Sequence, residues 1–261
     1  MDLFDNFSKM ADNMGGIINK DIDINQIMNS ELNGAVDFGL WMETIEIQRK
    51  FNNSVAPGWE TDVSQARYDY WMAVTDEAVE VLGSKHWKWW KDKDKMGEVD
   101  WDNVLVELTD LFLFVISIAI QQESQHVIFQ QLVALEMGKP SQDKIRDESF
   151  FDDFRQRFMM AVNNESITLV SVFLVEFWFK AGGDAEMLFR TYRIKSALNE
   201  IRQEFGYGVK YHKMWKDNIT GELVEDNVIA NRISKDIPLD ENMIKNTKEA
   251  LKKYYLTYVA I

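Results

Sequence analysis

Two short acidic pairs are the residues most able to do chemistry: Glu77-Ala78-Val79-Glu80 and Glu107-Leu108-Thr109-Asp110. Each sets two carboxylates three residues apart, and on an α-helix that spacing puts both on one face. Apolar residues surround them: Val74, Ala78, Val81 and Leu82 around the first pair, Val104, Leu108, Leu111 and Phe112 around the second. The second pair interrupts a helix that otherwise reads as buried, and buried carboxylates without a counter-charge are costly. A divalent cation supplies that counter-charge. Four hard oxygen ligands from two neighbouring antiparallel helices suit Mg²⁺ or Mn²⁺. On spacing alone the pairs fit a solvated helix face equally well, since E-x-x-E is a common surface pattern.

The elements that must position these acids read as helices. Three prolines, few glycines and a hydrophobic fraction of 46% with nine Trp and sixteen Phe describe a globular all-α chain rather than a strand-and-turn fold. The expected fold is a multi-helix bundle with the metal site between two antiparallel helices. A single domain over 1–261 is expected, residues 1–20 forming a loosely attached segment.

Apolar spacing predicts helices over Ile22–Leu32, Ala35–Phe51, Ser64–Lys91, Asp100–Gln122, Glu123–Met137, Phe150–Ala161, Ile167–Lys180, Ala185–Phe205 and Glu241–Tyr258. Asp100 is the expected N-cap of a helix whose centre is apolar on all sides, which places it centrally in the bundle. Gly206–Asn227, rich in aromatic, glycine and polar residues, reads as an ordered loop.

A net charge of −14 repels nucleic-acid phosphates and excludes non-specific nucleic-acid binding. The most apolar run, Leu111–Ile120, is half the roughly 20 residues that span a bilayer, so no membrane association is expected. The absence of cysteine removes disulfides, thiolate ligands and a cysteine nucleophile together, and agrees with a reducing cytosol. The opening MDLFDNFSKMADN has no basic stretch before an apolar run, so a cytoplasmic location is expected. His86, His126 and His212 stand apart and are assigned no catalysis.

Flanking motifs sharpen the acidic pairs. After Glu80 comes Trp87-Lys88-Trp89-Trp90-Lys91, and further on Lys195-x-x-Leu198-Asn199-x-x-Arg202-Gln203-x-x-Gly206-Tyr207, then Tyr211, Lys213, Trp215 and Glu225-Asp226-Asn227. In this order they resemble the all-α nucleotide pyrophosphatase superfamily, and the W-K-W-W-K run resembles its dimeric dUTPase branch. The resemblance implies a homodimer that hydrolyses dUTP, and dUDP, to dUMP, pyrophosphate leaving dUTP through attack of metal-activated water. It implies Glu77, Glu80, Glu107 and Asp110 as ligands of Mg²⁺ or Mn²⁺. Glu80 is the first choice, and Glu77 the second, for orienting or deprotonating the water.

Lys195, Asn199, Arg202, Tyr211 and Lys213 are implied phosphate contacts. Asn29 and Asn33 resemble the family's Q-x-x-L-N base-binding element, with Trp59 and Trp87 as further base or sugar contacts. Asn29 stands where the family has Gln, Leu113 where it often has His, and Ser196 where it has Asn. The first departure leaves a dCTP or modified-deoxynucleotide pyrophosphatase open beside dUTP. A non-enzymatic helical nucleotide-binding or regulatory protein is the rival of another class. Each motif also has a plain structural reading: the tryptophans as core or interface aromatics, and the Lys195–Asn199–Arg202 stripe as a surface ion-pair ladder.

Overall fold

A computed structural model of the chain describes residues 36–62, 68–90, 94, 96–137, 146 and 149–259. The expected helix Ile22–Leu32, with Asn29 and Asn33, lies outside the described residues. Phe38–Ile261 make one compact unit, and its helices are α1 (Phe38–Val55), α2 (Tyr70–Gly83), α3 (Trp101–Gln121), α4 (Gln125–Met137), α5 (Ser149–Asp153), α6 (Met159–Asn163), α7 (Ile167–Lys180), α8 (Ala185–Glu204), α9 (Asp226–Ser234) and α10 (Met243–Tyr258). A hairpin of β1 (Met214–Lys216) and β2 (Leu223–Glu225), paired antiparallel with Trp215 opposite Val224, is the sheet among the described residues. The fold is an all-α bundle.

Its axis is α3. The Asp100 carboxylate accepts from the Asn103 amide and satisfies one of the orphan donors of the first turn. Beyond that cap, Leu108, Leu111, Phe112, Val115 and Ala119 have no exposed surface. Neighbours on every side explain why: α3 packs against α1, α2, α7 and α8. This helix is long and apolar enough to cross a membrane, yet 72% of its most apolar window is buried within the protein. Its apolarity serves the core.

α2 runs antiparallel to α3. Asn103 at the start of α3 donates to the Ser84 hydroxyl just past the end of α2, at 2.9 Å, while Tyr70 at the start of α2 lies against Phe114 with ring centroids 6.3 Å apart. The expected helix Ser64–Lys91 is therefore shorter than its apolar spacing suggested. Asp69 caps its start by accepting from the Met72 amide. After Gly83 the chain turns to pair Lys85 with Val99, which carries Trp87, Trp89 and Trp90 into an exposed connection.

Phe150–Ala161 also differs from a plain helix, because residues Phe154–Phe158 wind as a π-helix between α5 and α6. Phe150 stacks on Phe154 and Phe154 on Phe158, with centroids 5.9 and 4.7 Å apart.

α7 enters α8 through Gly182-Gly183. A Cβ at Gly183 would meet the Trp178 indole at 2.4 Å, so only glycine lets the chain pass the ring whose Nε1 donates to the Asp184 carbonyl. Asp184 then caps α8 through the Met187 amide at 2.7 Å. Polar contacts inside the bundle fix the rotation of α8. Tyr192 donates to the Gln48 side chain of α1, and Gln48 and Asn52 both donate to Ser117 of α3. Arg193, fully buried, reaches Glu43 at 2.5 Å.

The C-terminal third corrects the sequence reading most. Gly206–Asn227, expected as loop, contains the hairpin and the start of α9. Both are held by a second core in which Ile194, Leu198 and Ile201 of α8 meet Trp215, Ile229, Met243, Leu251, Tyr254 and Tyr255.

Candidate active site

One face of α8 looks across a cleft at the facing surfaces of α2 and α3. The cleft has a volume of about 540 Å³, and Glu77, Glu80, Glu107, Asp110, Lys195, Asn199, Arg202 and Lys213 line it together. Acids and bases separated by more than 80 positions in the sequence thus share one site.

Ligand oxygens of Glu77, Glu107 and Asp110 lie within 4.8 Å of one another. Glu80, one turn beyond Glu77, stands outside this trio and is hydrogen-bonded to Glu107. Burial first, and then the charges of Asp110, Glu80 and Glu107, push the Glu77 carboxyl up to about 8. Burial, followed by Asp110 and Glu80, pushes Glu107 up to about 7, with Lys195 opposing the rise. Like charges forced together out of water are the physical cause.

Lys195 Nζ donates to Asp110 Oδ2 at 2.6 Å and to Asn227 Oδ1 at 3.2 Å. The other Asp110 oxygen, Oδ1, is buried without a hydrogen-bond partner among the described residues. A half-buried carboxylate trio with an unsatisfied oxygen is a donor set that fits a hard divalent cation.

Arg202 is held from behind. Its Nε and one terminal nitrogen donate to the two oxygens of Asp226 at 2.9 and 2.8 Å, and its other terminal nitrogen donates to Asn199 at 3.2 Å. Burial alone would lower the Arg202 pKa, but the hydrogen bonds and charge of Asp226 more than offset it and raise it. Tyr211 is buried and donates to Asp226 at 2.7 Å, so it stands behind the cleft wall. Lys213 lies over the Tyr207 ring, 5.7 Å from its centre.

Two expected contacts lie elsewhere. Trp59 has no exposed surface, and its indole donates to Asn53 while its carbonyl accepts from Gln121 at 2.6 Å. It is a core residue, which is the commoner fate of a tryptophan beside a turn. Trp87 is half exposed, meets Trp90 edge-on with centroids 5.5 Å apart, and is not among the residues lining the cleft.

The cleft also has walls that motif reading gave no role. Phe51, Asn103 and Phe114 line it from α1 and α3, and Gln203, Tyr207 and Asn227 from the α8 side. Asn227 and the buried Asp226 behind it were visible only as part of a motif, because nothing local distinguishes a clamping carboxylate from a solvated one.

Antiparallel helices thus present clustered carboxylates to a basic stripe across one cleft. The model of the dUTPase family matches residues 40–207, more than half of the chain, and the protein belongs to this all-α family of nucleotide hydrolases. The match takes in the four acids, Lys195, Asn199 and Arg202, and ends before Tyr211, Lys213 and Asp226. No curated protein is significantly similar to the chain.

Proposed function

We propose that the cleft hydrolyses a deoxynucleoside triphosphate, with dUTP the first candidate and dUDP a second substrate, to the monophosphate in the presence of Mg²⁺, in a homodimer. The observation that carries this reading is the meeting of the Glu77–Glu107–Asp110 trio with Lys195, Asn199, Arg202 and Lys213 in one cleft. An acidic protein needs a local basic surface to hold a polyphosphate, and it has one opposite its acids.

Glu77, Glu107 and Asp110 would hold the cation, with Glu80 beside them. A divalent ion there supplies charge neutralisation at the phosphate oxygens and lowers the pKa of water bound to it. Lys195, already against Asp110, faces the phosphoryl group nearest the acids. Arg202 and Lys213 neutralise charge that grows on the departing pyrophosphate. Glu80, outside the tight trio but within hydrogen-bond reach of it, orients the attacking water and takes its proton on a carboxylate oxygen.

Treatment with EDTA should abolish pyrophosphate release from dUTP, and Mg²⁺ added in excess should restore it. Turnover that survives complete chelation is incompatible with this reading.

A further inference from the structure

Asp226 opens α9, and its carboxylate is 1% exposed. A charge so deep is tolerated only when its oxygens are satisfied. Three hydrogen bonds do that here: two from Arg202 to separate oxygens, at 2.9 and 2.8 Å, and one from Tyr211, at 2.7 Å. The Asp226 amide donates to the Lys213 carbonyl at 2.8 Å, extending the hairpin ladder that sets Glu225 opposite Met214. The next residue, Asn227, accepts from Lys195. One dipeptide therefore touches Lys195, Arg202, Tyr211 and Lys213.

The consequence for Arg202 is specific. A guanidinium has five N–H bonds in a rigid fork. Asp226 takes one from Nε and one from a terminal nitrogen, and Asn199 takes a third. The fork is fixed in plane and rotation, two of its N–H bonds are taken by neither Asp226 nor Asn199, and Arg202 lines the cleft.

We propose that Asp226 is a positioning residue: held from behind by Tyr211, it presets Arg202 in the attitude in which the cleft receives a polyphosphate. The role rests on the phosphate reading given above. It deepens that reading by assigning the Glu-Asp-Asn motif a task that neither the spacing of the acids nor the family match reaches. A preset fork loses little conformational freedom on binding, whereas a free arginine must first be ordered.

Calorimetric binding of inorganic triphosphate with Mg²⁺ to the full-length protein tests this without relying on turnover. Asp226→Asn, which keeps the shape but weakens the grip, should lower affinity about 10–100-fold, the range typical of partners that orient a ligand-binding group. In an Arg202→Ala background the same change should alter affinity by less than about threefold, because the group it acts through is gone. Arg202→Lys keeps the charge but loses the bidentate hold, and should bind as weakly as Arg202→Ala. This second variant decides the matter if Asp226→Asn does not fold.

Wild-type affinity in Asp226→Asn or in Arg202→Lys would overturn the positioning role and leave the phosphate reading standing. Failure of the wild-type protein to bind triphosphate would overturn both.

Discussion

Glu77 and Glu107 titrate far above the ordinary carboxylate range because burial and like charge act in the same direction on both. The sign of the resulting pH dependence follows. Between the ordinary value of 4.5 and about 8, the unfolded chain has released the Glu77 proton that the folded chain still holds. The folded state binds more protons in that window, so the metal-free protein loses stability as pH rises through it, and the slope vanishes above the window. Mg²⁺ should offset part of this loss, adding about 2.7 kcal/mol at one hundred times its dissociation constant. Melting curves at pH 5.5 and pH 8, with EDTA or with Mg²⁺, check it. A metal-free protein that is more stable at pH 8 would contradict the account. Glu107→Gln and Glu80→Gln should each lower kcat by at least about 10²–10³-fold, as loss of one preorganised electrostatic group does, while circular dichroism keeps the helical signal. Near-normal turnover in either variant would remove the acids from the chemistry.

At the scale of elements, α10 packs against the hairpin and Tyr211 behind the cleft. Tyr255 stacks on Tyr211 with centroids 5.4 Å apart, and Tyr254 donates to the Lys216 carbonyl while accepting from the Asn218 amide. The C-terminal helix thereby holds the hairpin that carries Lys213. Leu251 is fully buried in that junction, and Leu251→Ala should cost about 2–5 kcal/mol of stability. Triphosphate affinity should fall with it, whereas melting and binding that change independently would separate α10 from the site.

The helices that the sequence made legible are those whose burial is written in their own period. α3 is apolar on all sides at its centre with an aspartate capping its start, and α7 runs from Ile167 to Lys180 as expected. α9 and the hairpin were not legible for a physical reason. Val228, Ile229, Asn231 and Ile233 are indifferent helix formers, the strands are three residues each, and both are stabilised by contacts with α8 and α10 that no local window contains. The acids were legible as pairs, and only the fold brings them into one cleft with Lys195. Trp59, a base or sugar contact by resemblance, is fully buried, and its local sequence does not distinguish the two placements.

For the molecule as a whole, a charge of −14 repels a polyphosphate over most of the surface, so the proposed binding depends on the local basic stripe that faces the carboxylates across the cleft. Fold and family do not by themselves fix a reaction. Asn29 and Asn33, which the resemblance implies as base contacts, lie outside the described residues.

Pyrophosphate release measured across all the deoxynucleoside triphosphates, with Mg²⁺ and with EDTA in parallel, tests the central claim most directly. The account predicts stoichiometric pyrophosphate and monophosphate from dUTP, or from a close pyrimidine relative, in the Mg²⁺ arm alone. No pyrophosphate from any of them, or release equal in both arms, would contradict it.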